Sequence, residues 1–198
     1  MRATSCEGKM RVIAGKFRSR PLVAPKGMKT RPTSDRLRET LFNVLSQRMA
    51  EARFVDLYAG SGAVGIEALS RDAAFVWFAE SAAPAVKSIR ENLAGLKITG
   101  GYVIEARGAM PLLEELTRRG EKADLVFLDP PYEEDKEYSR ILSFLGGRGA
   151  VILAEDARVV SEHRASSALE ESYGALERVR VLKQGDAALS FFARKPQE

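Results

Sequence analysis

RFVDLYAGSGAVG, residues 53 to 65, is the stretch that decides the fold of this chain. Its first part, Arg53 to Tyr58, is an apolar run typical of a buried parallel strand. Three glycines follow in the spacing G-x-G-x-x-G, which indicates a nucleotide-binding turn between a strand and a helix. Gly60 and Gly62 would let the backbone approach a ligand closely, and Gly65 would let the helix pack against the strand.

A second apolar strand, Phe75 to Ala79, ends in Glu80. An acidic side chain at that place can accept both hydroxyls of a ribose, so the two segments together fit either NAD or S-adenosylmethionine. Asp56 favours S-adenosylmethionine, because a carboxylate just before the glycines would repel a pyrophosphate but could pair with the cationic amino group of a methionine moiety. The structural alternative is that the glycines are simple turns and Asp56 an ordinary strand end.

A second motif, Asp129-Pro130-Pro131-Tyr132, closes the apolar run Asp124 to Leu128. Two consecutive prolines continue neither a ladder nor a helix, so the chain should leave the sheet in a stiff loop. The loop would lie at the carboxyl ends of the parallel strands (the carboxyl edge), where open α/β sheets bind ligands. It would present a carboxylate, a carbonyl and an aromatic ring, which suit a planar base with an exocyclic amino group. The structural alternative is that Asp129 caps a helix and Tyr132 is packing.

Composition restricts the possible classes of protein. With 198 residues and 45% hydrophobic content, the chain can bury one domain and a small appendage. The single cysteine, Cys6, and the single histidine, His163, exclude disulfides and a Cys/His zinc cluster. No apolar run reaches the roughly 18 to 20 residues of a membrane span. We therefore expect a cytoplasmic monomer that binds neither a membrane nor a metal.

The positive charge is concentrated at the start of the chain. Residues 1 to 40 contain eleven Lys or Arg against three Asp or Glu, a net charge of +8, so the other 158 residues carry −4 of the total +4. The cations alternate with apolar residues, and Gly15 and Pro21 punctuate them as in a short hairpin. We predict a basic nucleic-acid-binding arm over residues 1–32 and a catalytic domain over 33–198. A merely solvated charged arm is the alternative. The candidate nucleic-acid-binding residues are Arg11, Lys16, Arg18, Arg20, Arg31 and Arg36.

The remaining pattern alternates helices with strands, as in a doubly wound sheet. The first helix should begin at a cap on Thr33 or Ser34 and run to about Met49. His163 lies in a polar stretch that reads as helical, and we expect it at the surface. Further helices are predicted at 63–71, 84–93, 109–119 and 138–145, strands at 102–106 and 150–154, and a closing hairpin at 176–182 and 188–193.

From about Met10 to Phe192 the chain resembles the RsmD family, bacterial enzymes that methylate N2 of a guanine in small-subunit ribosomal RNA. The ordered set of motifs is more specific than any one of them. The resemblance rests on Arg11-Val12-Ile13-Ala14-Gly15, Arg31-Pro32-Thr33-Ser34-Asp35-Arg36-Leu37-Arg38-Glu39, Asp56-Leu57-Tyr58-Ala59-Gly60-Ser61-Gly62 and Asp129-Pro130-Pro131-Tyr132.

This resemblance implies a Rossmann-like class I methyltransferase sheet of seven mostly parallel strands with one antiparallel. S-adenosylmethionine would be the donor, and partly assembled 30S particles the substrate. Asp56 and the turn residues Tyr58, Ala59, Gly60, Ser61 and Gly62 would hold the methionine part, Glu80 the ribose, and Asp129 to Tyr132 the guanine. The chain departs from the family where an acidic residue would contact adenine, since it has Arg107-Gly108-Ala109 there. Glu105 is a candidate substitute.

The predicted mechanism is direct in-line methyl transfer to an extruded base without a metal. Asp129 and the Pro130 carbonyl would accept hydrogens from the guanine amino group, while Tyr132 stacks on the base. Three alternatives remain open: an adenine-N6 DNA methyltransferase, a glutamine-N5 protein methyltransferase, and a non-catalytic ribosome-assembly factor. The first usually needs more mass to read DNA, and the second has no obvious need for a basic arm.

Overall fold

The computed structural model describes residues 10–25, 35–131, 135–167 and 169–195. Tyr132, Arg31 and the predicted cap at Thr33 or Ser34 lie outside these residues. The described helices are α1 (Asp35–Val44), α2 (Ala63–Ser70), α3 (Ala83–Gly95), α4 (Ala109–Arg119) and α5 (Asp135–Gly146). The strands are β1 (Arg53–Leu57), β2 (Phe75–Ala79), β3 (Tyr102–Glu105), β4 (Ala123–Leu128), β5 (Leu153–Arg164), β6 (Ser172–Tyr173), β7 (Leu176–Gln184) and β8 (Ala187–Arg194).

All these strands form one sheet in the order β3-β2-β1-β4-β5-β8-β7-β6. Strands β1 to β5 are parallel to their neighbours among themselves, and β8 is antiparallel to both β5 and β7. The predicted Rossmann-like sheet with a reversed strand is confirmed. The two-residue β6 adds an eighth strand at the edge, antiparallel to β7.

Helices cover both faces of the sheet. Side chains from α1, α2 and α3 share one buried cluster with Phe54 and Phe127, whereas α4 and α5 share the other with Val55 and Val126. Because both faces are covered, β1 and β4 are buried along nearly their whole length. Most of their residues are accordingly apolar, which explains why the sequence pattern identified them. None of the helices formed by the described residues is long and apolar enough to cross a membrane.

Residues 10–25, called the arm below, fold as a hairpin-like unit. Arg11 and Pro21 form an antiparallel bridge, and the Val12 N–H donates to the Arg20 carbonyl over 3.0 Å. Val12 and Leu22 are buried in the cluster that contains α1 and α2. The arm is therefore packed on the sheet domain and shares its core. The predicted domain boundary after residue 32 falls outside the described residues.

Two predictions about the second half of the chain are wrong. Residues 150–154 are not a strand: the chain forms a short 3-10 helix, Arg148–Ile152, and the strand begins at Leu153. His163 is not a surface residue in a helix, because it lies in β5 and is only 4% exposed. The polar stretch indicated a solvated helix, whereas His163 pairs with Ala188 of β8 and its ring packs against Tyr138 of α5. Helix α1 is also shorter than predicted, with a 3-10 turn over Ser46–Arg48.

Candidate active site

Three predicted site residues follow three neighbouring strands at the carboxyl edge. Leu57 of β1 pairs with Ala79 of β2 and with Leu128 of β4. The next residues, Glu80, Tyr58 and Asp129, therefore lie in a row. Adjacent strands are about 4.8 Å apart, so the row spans roughly 10 Å. The fold thus brings the predicted cofactor residues and the predicted acceptor loop to one place.

The glycine turn has the backbone that its sequence predicts. Gly60 and Gly62 have φ of 56° and 78°, and Tyr58 also has a positive φ of 61°. No atom lies within 4 Å of a Cβ added at Gly60, so the backbone there borders open space. A Cβ at Gly65 would lie 2.3 Å from the ring of Phe78 on β2. Gly65 therefore allows α2 to pack tightly on the sheet, as predicted.

The other two predicted turn residues fasten the turn to its surroundings. The Ala59 N–H donates to the Ala79 carbonyl over 3.0 Å. The Ser61 carbonyl accepts from the Asn92 side chain of α3 over 2.9 Å, and its hydroxyl contacts the Met10 sulfur at 3.4 Å. The turn is thus fixed by β2, by α3 and by the start of the arm.

Asp56 lies beneath the turn. It is 1% exposed, and its Oδ2 accepts the Gly65 N–H over 2.8 Å at the start of α2. Burial raises its pKa to about 7, the Gly65 hydrogen bond opposes that rise, and the negative charge of Glu80 adds to it. A nearby ligand cation would favour the charged carboxylate, so pairing with a methionine amino group stays a prediction that these electrostatics favour.

Glu80 supports the turn from the end of β2. One carboxylate oxygen accepts the Gly60 N–H and the other the Ala82 N–H, each over 2.8 Å. Each oxygen has further lone pairs, and the side chain is only half-buried. An anionic acceptor beside the open backbone of Gly60 is what the donating hydroxyls of a ribose require. The residues present therefore fit a nucleoside cofactor.

The candidate adenine contact, Glu105, is engaged by its neighbour. Its carboxylate accepts the backbone N–H of Arg107 over 2.9 Å and its guanidinium over 2.8 and 2.7 Å. Hydrogen bonds from Arg107 are the main cause of the lowered pKa of Glu105. An adenine amino group at this place would have to compete with the bidentate ion pair between Glu105 and Arg107.

The acceptor loop leaves the sheet beside β1. The Asp129 N–H donates to the Leu57 carbonyl over 3.4 Å; the Asp129 side chain is half-buried, Pro130 buried and Pro131 exposed. Helix α5 contacts this loop in a way that the sequence reasoning missed. The buried Tyr138 hydroxyl donates to the Pro130 carbonyl over 3.4 Å.

The arm and α1 line a groove of about 560 Å³, and no residue of the glycine turn belongs to its lining. Its lining includes four arginines and two acids: Arg11, Arg18, Arg36, Arg71, Asp35 and Glu39. Arg11 pairs with Asp35 at 3.7 Å. Among the described residues, no side-chain ion pair or hydrogen bond engages the Arg18 and Arg36 guanidinium groups. These two predicted RNA-binding residues therefore have no ion-pair partner within the described part of the chain.

The other two predicted arm cations have protein partners. Lys16 lies 3.8 Å from the Asp72 carboxylate, and Arg20 donates to the Gly95 carbonyl over 3.4 Å. Both are exposed, so these are weak surface contacts. Their charges are partly directed towards the protein.

A buried polar network docks the arm on α2, and the sequence reasoning missed it. The Glu67 carboxylate accepts the Ile13 and Ala14 N–H groups over 2.7 and 2.9 Å and pairs with Arg71 at 2.8 Å. Arg38 of α1, fully buried, lies 4.0 Å from Glu67 and donates to the Arg11 carbonyl. The sequence did contain one indication of this network: Glu67 is a charged residue in a helix whose other residues are small or apolar.

A parallel sheet ordered β3-β2-β1-β4-β5 with a reversed strand beside β5, a glycine turn after β1 and an acid after β2 define the class I methyltransferase fold. Proteins of this class use S-adenosylmethionine. The chain belongs to the RsmD family, because residues 10–193 match the family described as Conserved hypothetical protein 95.

Individual relatives agree with this assignment. The chain is 33% identical to the Bacillus subtilis protein YlbH over 186 residues, covering 94% of this chain and all of that one. It is 39% identical to the Escherichia coli ribosomal RNA small subunit methyltransferase D over 128 residues, 65% of this chain and 63% of that one. The solved structure of Escherichia coli yhhF superposes with a TM-score of 0.82 at 32% identity, over 96% of this chain and 100% of that one.

Proposed function

We propose that this protein transfers a methyl group from S-adenosylmethionine to N2 of a guanine in small-subunit ribosomal RNA, within an assembling 30S particle. One observation carries the proposal: the glycine turn with Glu80 and the Asp129-Pro130 loop follow adjacent strands at one edge. The name of the Escherichia coli relative supports ribosomal RNA as the substrate. We further propose that the protein is a cytoplasmic monomer and that the reaction needs no metal.

In this proposal the chain holds the donor through the turn and the acid beside it. The donor supplies an electrophilic methyl group on a positively charged sulfur. Glu80 would bind the ribose hydroxyls, and the open backbone of Gly60 would allow close approach. Asp56 would supply the negative charge beneath the methionine amino group. Since Asp56 has a pKa of about 7 before binding, a cation would shift it towards the charged form.

The acceptor loop would activate the nucleophile. The lone pair of a guanine amino group is delocalised into the ring, so the nitrogen is a poor nucleophile. Hydrogen bonds from this group to the Asp129 carboxylate and the Pro130 carbonyl would free the lone pair towards the methyl group. Asp129 would then take the proton that the nitrogen loses. Holding the nitrogen at near-attack distance supplies much of the remaining catalysis. Tyr132 would stack on the base.

The arm and α1 would hold the RNA backbone. Arg18 and Arg36 line the groove and have no ion-pair partner among the residues that the structure describes, and Arg11, Lys16 and Arg20 add exposed cations next to it. Arg31, also in the predicted set, would add a further phosphate contact. Phosphate contacts of this kind fix register without reading sequence.

The proposal is tested by tritiated methyl transfer to small-subunit particles from a strain that lacks the enzyme. We expect label in guanine N2 of the RNA. Asp129→Asn should lower the rate at least about 100-fold, because it removes the proton acceptor. Its affinity for S-adenosylhomocysteine should stay within about threefold, as one lost rim contact costs little.

The matched control is Asp156→Asn, an exposed aspartate on β5, which should transfer normally. Normal turnover of Asp129→Asn would remove Asp129 from its assigned role. Label in DNA or protein would favour the corresponding alternative methyltransferase. Absence of label in every fraction, with cofactor binding intact, would favour a non-catalytic assembly factor.

A further inference from the structure

The start of α5 touches both catalytic loops with consecutive residues. Glu137 accepts a hydrogen bond from the Tyr58 hydroxyl over 2.7 Å, and Tyr58 precedes the glycine turn. The next residue, Tyr138, donates its hydroxyl to the Pro130 carbonyl of the acceptor loop over 3.4 Å. The two contacts join segments that are 79 and 8 residues apart in the sequence. One helical turn therefore connects the loop for the donor to the loop for the acceptor.

The ring of Tyr138 is buried against β5. It is 1% exposed, and the His163 ring of β5 lies edge-on against it with centroids 6.5 Å apart. His163 Nδ1 lies 2.8 Å from the Arg164 carbonyl and Nε2 lies 2.8 Å from the Ser190 hydroxyl of β8. Since a carbonyl only accepts, Nδ1 carries the proton and Nε2 accepts from Ser190. The position of Tyr138 is thus set by two strands of the sheet.

Glu137 is suited to a permanent acceptor role. Its second oxygen accepts from Arg140 one turn further along α5, over 2.9 Å. The hydrogen bond from Tyr58 is the main cause of the lowered pKa of Glu137, and Arg140 acts in the same direction. The carboxylate therefore remains charged throughout the neutral range and holds the Tyr58 hydroxyl.

We propose that Glu137 and Tyr138 are positioning residues that fix the donor turn and the acceptor loop relative to one another. This inference rests on the proposed function. A carbonyl has two lone pairs, and the Tyr138 hydroxyl uses one of them. The Pro130 carbonyl is thereby oriented, with its second lone pair available for an amino hydrogen of the target base. Glu137 fixes Tyr58 in the same way, and neither side chain contacts the reacting atoms.

Tyr138→Phe tests the first contact, because it removes the hydroxyl and keeps the ring. We expect kcat for methyl transfer to fall about threefold to tenfold, the effect of one hydrogen bond. KM for S-adenosylmethionine and for RNA should stay within about twofold. The control is Tyr173→Phe on β6, also mostly buried, whose hydroxyl accepts the Glu170 N–H. It loses a comparable hydrogen bond far from both loops and should keep its kcat.

Glu137 is tested by a pair of substitutions. Glu137→Ala should lower kcat about as much as Tyr138→Phe, whereas Glu137→Gln keeps an acceptor for Tyr58 and should restore most of it. Arg140→Ala is the control, because it removes the exposed ion-pair partner without touching Tyr58. In the double variant Tyr138→Phe with Glu137→Ala, the loss should be smaller than the product of the single losses, because either change frees the two loops from one another.

Three results would overturn the inference: an unchanged kcat in Tyr138→Phe, equal losses in Tyr138→Phe and Tyr173→Phe with parallel drops in melting temperature, or no rescue by glutamine at position 137. None of these results would affect the proposed function, which is tested by the methyl-transfer assay of the unaltered protein. If the unaltered protein does not methylate RNA, the proposed function fails first. The helix would then have no reaction to position.

Discussion

The glycine turn and the arm are held by the same device, a carboxylate that accepts main-chain N–H groups. In the turn, Asp56 holds Gly65 and Glu80 holds Gly60, over 9 and 20 residues of sequence. In the arm, Glu67 holds Ile13 and Ala14, over 54 and 53 residues. The chemistry is alike and the sequence separation differs. A local motif can therefore reveal the first arrangement, whereas only the folded chain reveals the second.

The two regions also differ in the charge around the carboxylate. Asp56 is buried near another acid, Glu80, and its pKa is raised for both reasons. Glu67, equally buried, pairs with Arg71 and lies within 4.0 Å of Arg38. In our proposal the methionine amino group supplies a cation next to Asp56, which has no ion pair among the described residues. The arm has its cations within the protein, which suits a permanent structural role.

The largest effect is expected from removing the buried cation of the arm. Arg38→Met should lower the free energy of unfolding by about 3 kcal/mol, because Glu67 loses a buried partner and the Arg11 carbonyl loses its donor. Urea unfolding measures this directly. Limited trypsin digestion should also cut faster at Lys16 and Arg18 as the arm loosens.

Arg36→Met is the matched control for Arg38→Met, on the same helix two residues earlier but exposed. It should change the free energy of unfolding by no more than about 0.5 kcal/mol. Equal stability of both variants would mean that an apolar side chain replaces Arg38 without cost. Two of the Arg38 nitrogens, Nε and Nη1, indeed have no hydrogen-bond partner among the described residues. The arm would then be held by packing and Glu67 alone.

The second prediction concerns Asp56 and pH. Its pKa is about 7 in the folded protein against 3.8 for an ordinary aspartate, so between these values the folded state binds more protons than the unfolded state. The stability contribution is complete below about pH 4 and is lost as pH rises through about 7. Between pH 5 and 8 the free energy of unfolding should fall by on the order of 2 kcal/mol relative to Asp56→Asn.

Asp56→Asn is the appropriate reference because an amide oxygen can still accept the Gly65 N–H and does not titrate. Urea unfolding of both proteins at pH 5, 6, 7 and 8 gives the difference. A constant difference across this range would show that Asp56 is charged throughout. The contrast with Glu67 would then disappear.

The number of residues between interacting partners also explains how much of the structure the sequence could predict. The glycine turn, Glu80 and the Asp129 loop all follow strands, and strand order in a parallel sheet brings such positions together. The sheet and its carboxyl edge were therefore predictable from local patterns. The Glu67 network and the contacts of Glu137 and Tyr138 were not, because each partner is chosen by the packing of α1, α2 and α5.

The misassignment of β5 has a related cause. Glu162 and His163, near the end of β5, are polar, yet they are only 3% and 4% exposed. Hydrogen bonds such as that from Ser190 to His163 make this burial tolerable. Those partners belong to β8, more than twenty residues away, so no local pattern of polar and apolar residues could indicate the strand.

The third prediction tests the acid of the turn. Glu80→Ala should weaken S-adenosylhomocysteine binding about tenfold or more, because a charged acceptor for the ribose is lost. Calorimetry should show no NAD binding in either protein. Glu91→Ala on α3, an exposed glutamate paired with Lys87, is the control and should bind normally. Unchanged affinity in Glu80→Ala would show that this carboxylate does not bind the ribose and only supports the turn through Gly60 and Ala82.

The smallest effect is expected from the surface charges of the arm and α1. Replacing Arg18 and Arg36 with alanine should flatten the dependence of log RNA affinity on log salt by about 1.4 to 1.8, since each lost phosphate contact removes roughly 0.7 to 0.9. The reason is that both groove arginines have charges not neutralised within the described chain. Fluorescence anisotropy with a ribosomal RNA fragment at several salt concentrations gives the slope.

The double variant Lys16→Ala with Arg20→Ala is the matched control, because it removes the same charge from residues that already contact Asp72 and Gly95. Its slope should change less, since part of each charge is directed towards the protein. S-adenosylhomocysteine affinity should be unaltered in both double variants, because no residue of the glycine turn lines the groove. An unchanged slope in Arg18→Ala with Arg36→Ala, with normal methylation of particles, would make the groove a solvated surface. The arm would then differ from the turn in having only a structural role.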